Sequence, residues 1–233
     1  EPVDIVRALE ETGECSKSLA GKKVLVTAGG TLEAIDPVRF IGNRSSGKMG
    51  YAVTKEAARR GADVVLIAGG AVALADPHGM RVLHTESALA MRGAVLQEAE
   101  DADIVIKAAA VADYRPKEAA AHKIKKNDAE LTLLLEKNPD ILLELGARKK
   151  ARQILVGFAA ETQNLLGYAK EKLKKKNLDL IVANDVTYPD AGFNTETNLV
   201  KIVARDGSVE EVPLMSKQAV AVHLLDRIES LQK

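Results

Sequence analysis

Several stretches of this 233-residue chain place polar side chains where chemistry could be done. The first is GNRSSGKMG, residues 42–50. Gly42, Gly47 and Lys48 stand at the G-x-x-x-x-G-K spacing of a phosphate loop, but the next position, which should be a magnesium-binding Ser or Thr, is Met49. A phosphate loop also leaves its strand directly, whereas Gly42 lies well beyond the strand ending at Ala28, so the ATPase reading fails on context. Asn43 is either a turn residue after glycine or an amide donor placed to stabilise developing negative charge. The helix beginning near Gly47 offers free N–H groups and a positive dipole end to an anion, with two serine hydroxyls beside them.

The second stretch is AAAVADYRP, residues 108–116. Its small residues let a flat ring or another backbone approach closely. Asp113 could accept from a base or ribose, hold Mg²⁺, or simply cap a packed strand end. The third and fourth are basic: HKIKK, with Lys123, Lys125 and Lys126, and KEKLKKK, residues 170–176. Lys172 and Lys176 are four apart and share one helix face, which suits either a triphosphate or plain solvation. The histidines, His78, His84, His122 and His223, are scattered with neither metal-ligand spacing nor a Ser-His-Asp set.

Apolar runs and helical periodicities alternate along the chain and must position these residues. VLVTAGG, DVVLIAGG, ADIVIKAAAV, AELTLLLEK, QILVGFAA and LDLIVAND read as strands. GKMGYAVTKEAARRGA, SALAMRGAVLQEA, PDILLELGA (with Pro139 at its start) and TQNLLGYAKEKLKKK read as helices. NLVKIVARDGSVEEVPL reads as a hairpin turning at Asp206-Gly207, and the closing helix has Ser216 as its N-cap. DIVRALE, residues 4–10, suggests a short helix within a tail or linker over residues 1–19. The alternation predicts an α/β fold with a mostly parallel sheet and helices on both faces. Such sheets bind ligands beyond their strands' carboxyl ends, and several loops there exceed the usual length.

Composition removes other classes. Lys+Arg and Asp+Glu are both 33, and aromatics are 3% without Trp, so neither a nucleic acid nor a membrane surface is indicated as partner. The single cysteine, Cys15, excludes a disulfide framework and a cysteine-rich zinc site. No apolar run approaches the ~20 residues of a bilayer span, and no signal peptide is visible, so a cytoplasmic place is expected. TAGGTLEA departs from G-x-G-x-x-G, and the second strand ends without the acidic residue that binds a ribose, which disfavours a dinucleotide reductase. A non-catalytic nucleotide-binding module is the other alternative.

Taken in order, VTAGGTLEAIDPVRFIGNRSSGKMG, AAAVADYRP, KIKK, KNPDIL, VGFAAET and NLDLIVANDV…GFNTETN strongly resemble the bacterial, CTP-using phosphopantothenate–cysteine ligases, also called phosphopantothenoylcysteine synthetases. The resemblance covers nearly all of residues 20–233, and the family's segment also reads SSGKMG, with Met at position 49. It implies a Rossmann-like sheet and a two-step reaction of coenzyme A biosynthesis. The carboxylate of 4′-phosphopantothenate attacks the α-phosphate of CTP, and the amine of L-cysteine then displaces CMP from the acyl-cytidylate. It implies Mg²⁺ as cofactor, CTP as co-substrate and a homodimer. The family's domain is usually fused to an N-terminal flavin decarboxylase; that half is not in this sequence, so no FMN is expected.

The resemblance also implies roles. Asn43 matches an essential asparagine at the activated acyl group, and Arg39 the arginine just before it. Lys107, Ala108 and Ala109 match the backbone lining of the cytosine pocket, Asp113 its acidic partner and tentative Mg²⁺ ligand, and Ala110 a critical small residue. Lys123 matches the lysine of a flap that closes over the intermediate. Pro139, Asp140, Ile141 and Leu142 match a nucleotide-binding loop, Phe158 a base-pocket aromatic, and Lys172 and Lys176 phosphate-facing lysines.

Overall fold

A computed structural model of the chain describes residues 17–125, 130–161, 165–185, 188, 192 and 194–232. Cys15, Lys126 and the helix expected over residues 4–10 lie outside them. The strands are β1 (Lys23–Ala28), β2 (Leu32–Ala34), β3 (Phe40–Gly42), β4 (Asp63–Gly69), β5 (Arg81–Thr85), β6 (Ile104–Lys107), β7 (Tyr114–Pro116), β8 (Leu135–Lys137), β9 (Ile154–Glu161), β10 (Leu180–Asp185), β11 (Thr197–Ala204) and β12 (Val209–Ser216). The helices are α1 (Lys48–Arg59), α2 (Ala88–Glu98), α3 (Ile141–Arg148), α4 (Leu165–Lys175) and α5 (Lys217–Ser230).

One eight-stranded sheet runs β5-β4-β1-β6-β9-β10-β11-β12. Neighbours from β5 to β10 are parallel, and β11 and β12 add an antiparallel hairpin at one edge. Val24 and Val26 of β1 face the core that α1 and α5 cover, while Leu25 faces the one under α2, α3 and α4. Both faces are therefore buried, which is why the central strands read as unbroken apolar runs. The chain leaves β1 for β4 and β5 on one side and returns through α2 to β6 on the other, so the order reverses between β1 and β6.

The helix starts follow local chemistry. Ser87, Asp140 and Ser216 cap α2, α3 and α5 by accepting from Ala90, Leu143 and Ala219 N–H groups. Gly47 begins α1 in a left-handed conformation (φ 82°) with no side-chain cap, so the first-turn N–H groups stay open. A Cβ on Gly50 would stand 2.5 Å from Ala28 Cβ and 2.9 Å from Thr27 O. Glycine at 50 is thus what lets α1 sit directly on the end of β1.

Some elements differ from the sequence expectations. The strand expected in AELTLLLEK narrows to β8, which pairs with β7 in a small sheet of its own. The strand expected in ADIVIKAAAV ends at Lys107 and continues only as an isolated bridge between Gly30 and Ala110. β2 pairs with β3 in a second small sheet, each strand too short to show a period. Edge strand β5 carries Arg81 and His84 and has no long apolar run to betray it. Leu19, placed in the tail by the sequence reading, is fully buried, and its N–H donates to Arg60 O at 2.9 Å.

Candidate nucleotide and acyl-transfer site

Past the carboxyl ends of β1 and β6 the two outgoing loops stay stitched together. Ala109 N–H donates to Thr27 Oγ1 (3.1 Å), Ala110 N–H to Gly29 O (2.8 Å), and Ala112 N–H to Thr31 Oγ1 (3.0 Å). Thr27 and Thr31 are 0% exposed, so these hydroxyl acceptors are shielded from water. Asn138, also buried, adds a bond from Nδ2 to Ala112 O (2.8 Å) and one from its N–H to Asp113 O (2.8 Å). The small residues after β6 are thereby held rigidly against the switch point. Asn43 Nδ2 donates to Ala110 O at 3.2 Å, joining the GNRSSG loop to the same frame. Among the described residues its Oδ1 and second N–H have no other partner, and they face the rim.

Two adjoining cavities open there, of about 540 Å³ and about 220 Å³. The larger is lined by Asn43, the 44–50 turn and α1 start, Ala108, Ala109 and Ala110, together with Asn184, Asn198 and Lys217. The smaller is lined by Asn138, Pro139, Asp140, Ile141, Leu142 and Lys176. Lys107, Val111, Asp113, Phe158 and Lys172 line both. Neither cavity includes Arg39 or Lys123 among its lining residues. All the other sequence-predicted site residues meet here.

The smaller cavity is a charged recess. Lys176 Nζ stands 2.8 Å from Asp140 Oδ2. Burial works against the Asp140 carboxylate, but Lys176, the Leu143 N–H and Lys107 together hold it below the usual carboxylate range. Burial pushes the Lys107 ammonium down to about 8; Lys176 adds to the shift, while Asp140 and Asp113 oppose it. In the larger cavity, Lys217 donates to Gly192 O (3.0 Å) and to Thr195 O, and Lys48 pairs with Glu196. Burial and the nearby Lys48 lower the Lys217 ammonium's hold on its proton. Lys48 thus ties the segment before β11 to the start of α1, and Lys217 ties it to the start of α5.

Arg39 and Lys123 come together elsewhere. Asp36, 3% exposed in the β2–β3 turn, accepts from Val38 N–H (2.8 Å), Arg39 Nε (2.9 Å) and Ile124 N–H (3.1 Å). Arg39 in turn donates to Ile124 O at 3.0 Å. The Arg39 guanidinium is the main reason the Asp36 carboxyl lies well below its ordinary value, with backbone N–H groups adding to it and burial opposing. One carboxylate thus pins the Lys123 segment to the Arg39 turn, and Lys123 itself is exposed.

Sequence reasoning did not single out Asp36, Thr27, Thr31, Asn138, Asn184, Asn198 or Lys217. The Asp-Pro at 36–37 carried a turn signal, and Asn138 precedes the Pro-Asp helix start. Thr27 and Lys217 sit inside regular periodic runs, and Thr31 follows Gly-Gly in the loop after β1, so nothing marks them.

Among the described residues, no group of three or more His, Cys, Asp or Glu could form an all-protein metal cage. Mg²⁺ does not need one, because it commonly takes one or two carboxylates plus substrate phosphates and water. Asp113, exposed at the wall common to both cavities, fits that use.

A twisted parallel sheet with a ligand cleft at its switch point defines the doubly wound α/β class that binds nucleotides at that place. Residues 19–231 match DFP, the DNA/pantothenate metabolism flavoprotein C-terminal domain, and the chain belongs to that family. It is 52% identical over 236 residues to the coenzyme A biosynthesis bifunctional protein CoaBC of Bacillus subtilis, covering 100% of this chain and 58% of that protein. For the Vibrio cholerae CoaBC the identity is 47%, over 97% of this chain and 57% of that protein. The chain therefore spans less than two thirds of these relatives. The crystal structure of a C-terminal domain of CoaBC superposes with a TM-score of 0.79 at 45% identity, over 93% of this chain and 98% of that one. Among the described residues no helix is long and apolar enough to cross a membrane.

Proposed function

We propose that this chain joins 4′-phosphopantothenate to L-cysteine in coenzyme A biosynthesis, with CTP as the activating nucleotide. The observation that carries this reading is the meeting of Asn43, Ala110, Asp113, Lys107 and Lys172 on one cleft at the switch point, in a chain of this family. A free carboxylate resists an amine because it is resonance-stabilised and lacks a leaving group. In the first step a carboxylate oxygen bonds to the α-phosphorus of CTP, and the bond to pyrophosphate breaks. In the second, the cysteine nitrogen bonds to the acyl carbon, loses a proton, and CMP leaves.

The chain's own groups suit both steps. Two phosphorylated substrates need two anion-holding surfaces. The open N–H groups of α1 with Ser45 and Ser46 supply one, and the lysine-lined recess beside α3 supplies the other. The stitched Ala108–Ala110 backbone holds the reacting ends in register. Asn43 offers a fixed N–H toward the tetrahedral oxyanion of the second step. Mg²⁺ held by Asp113 and the nucleotide would neutralise phosphate charge.

Incubation with 4′-phosphopantothenate, CTP and Mg²⁺ should release pyrophosphate, and CMP should follow only when cysteine is added. Absence of CTP-dependent pyrophosphate at every substrate level rejects the reading. A cytoplasmic place is in keeping with these substrates.

A homodimer is part of the proposal. The β2–β3 hairpin and β7–β8 sheet pack together and expose Val38, Phe40, Tyr114 and Leu134, at 58%, 57%, 52% and 69%. A second copy covering this face would also bring Arg39 toward a cleft it does not line in its own chain. Sedimentation equilibrium should give twice the chain mass, and Phe40→Glu should shift it to the monomer; a monomeric starting protein refutes the dimer.

A further inference from the structure

Lys107 lines the lysine-rich recess, but the proposed chemistry does not say what its own ammonium contacts. It ends β6 between Thr27 of β1 and Gly157 of β9. Side chains alternate along a strand, so Lys107 shares the face of Val105, the one covered by α2, α3 and α4. Its Nζ donates to Ala109 O at 3.1 Å. Among the described residues no carboxylate forms an ion pair with it, and the nearest one on α3, Asp140, is taken by Lys176 at 2.8 Å. An ammonium with one protein acceptor therefore stands at the wall between two ligand cavities, with further N–H donors to place.

The charges facing it come from three directions. Lys172 and Lys176 approach from α4 and its C-terminal end, Asp140 from the start of α3, and Asp113 from the loop after β6. With Lys137 of β8, the described residues lining the recess are four lysines against two carboxylates, a net positive surface beside a helix N-terminus. An uncharged ring would leave that surplus in place, whereas a phosphate oxygen removes it and gives Lys107 a charge-assisted partner.

We propose that Lys107 binds a phosphate oxygen of the nucleotide in this recess, a specificity contact made by its side chain. This rests on the nucleotide role proposed for the site above. One consequence follows from electrostatics. Burial and Lys176 weaken the ammonium's hold on its proton, and an incoming phosphate restores it, so anion binding in mildly alkaline solution draws a proton onto the protein.

Calorimetric titration of the protein with CTP, in buffers of different ionisation heat, measures this directly. At pH 8, uptake of about half a proton per site is expected, falling to none at pH 6.5. Pyrophosphate alone should reproduce it. Lys107→Met, an apolar replacement of similar length whose folding is checked by its melting transition, should lose the uptake and bind CTP at least ~10-fold more weakly. Lys107→Arg should keep the affinity without the uptake. If CTP binds and the uptake is unchanged in Lys107→Met, the inference falls while the proposed function stands. If cytidine but not pyrophosphate gives the uptake, the phosphate contact is refuted. If neither CTP nor pyrophosphate binds, both readings fall.

Discussion

Asn43→Asp is expected to lower the rate of CMP release about 10²–10³-fold while CTP still binds. The substitution keeps the side chain's shape but exchanges its N–H donor for a carboxylate oxygen. That oxygen would face Ala110 O across the 3.2 Å now bridged by a hydrogen bond. Two acceptors at that distance repel, so the loop loses its stitch to the β6 frame. The developing oxyanion would also meet a negative group in place of a donor, which adds to the loss. The cationic recess near Asp140 and Lys176 is untouched, which is why nucleotide binding should persist. Rapid-quench single turnovers that follow pyrophosphate and CMP separately would show the split; a wild-type rate of CMP release would remove Asn43 from the chemistry.

Lys123→Gln should form the acyl-cytidylate and then stall, giving one pyrophosphate per site with CMP release strongly slowed. Lys123 is exposed and, among the described residues, makes no ion pair, so stability should change by no more than ~0.5 kcal/mol. Its neighbour Ile124 holds the segment to Asp36 through backbone N–H, a contact glutamine at 123 does not disturb. What disappears is the positive charge that the proposed flap would bring over a reaction that discharges a cytidylate. Normal turnover with cysteine would show that this segment does not serve the second step.

Much of the sheet was legible because parallel strands buried on both faces leave unbroken apolar runs, as in β1, β4 and β9. The hairpin at Asp206-Gly207 and the Ser216 cap were legible because turns and caps depend on one or two side chains. The three-residue strands β2, β3 and β7 were not, since their pairing is decided by partners distant in the chain, and β8 was expected only as part of a longer run. The same division holds for the site. Asn43 and Asp113 lie in loops whose residue types stand out, and Phe158 is an aromatic inside β9 in a chain with few of them. Thr27 and Thr31 do not stand out, because a buried threonine that holds another loop's N–H looks like any β-branched residue in a strand or the turn after it until that loop is in place. Nor could spacing alone show that Arg39 and Lys123 share one anchor, since Asp36 reaches a backbone amide 88 positions away.

That anchor divides the chain into parts with separate fates under mutation and selection. The residues proposed to hold the nucleotide ride on strand ends and helix starts of the main sheet, where a change is felt by the core. Arg39 and Lys123 ride on an appendage fastened by Asp36, a carboxylate whose bonds do not involve the sheet at all. If Arg39 and Lys123 serve the cysteine step as proposed, drift in the appendage would retune that step while the recess proposed for the nucleotide keeps its shape. Loss of Asp36 alone would set both cations adrift together, so a single position on the appendage carries the constraint of two.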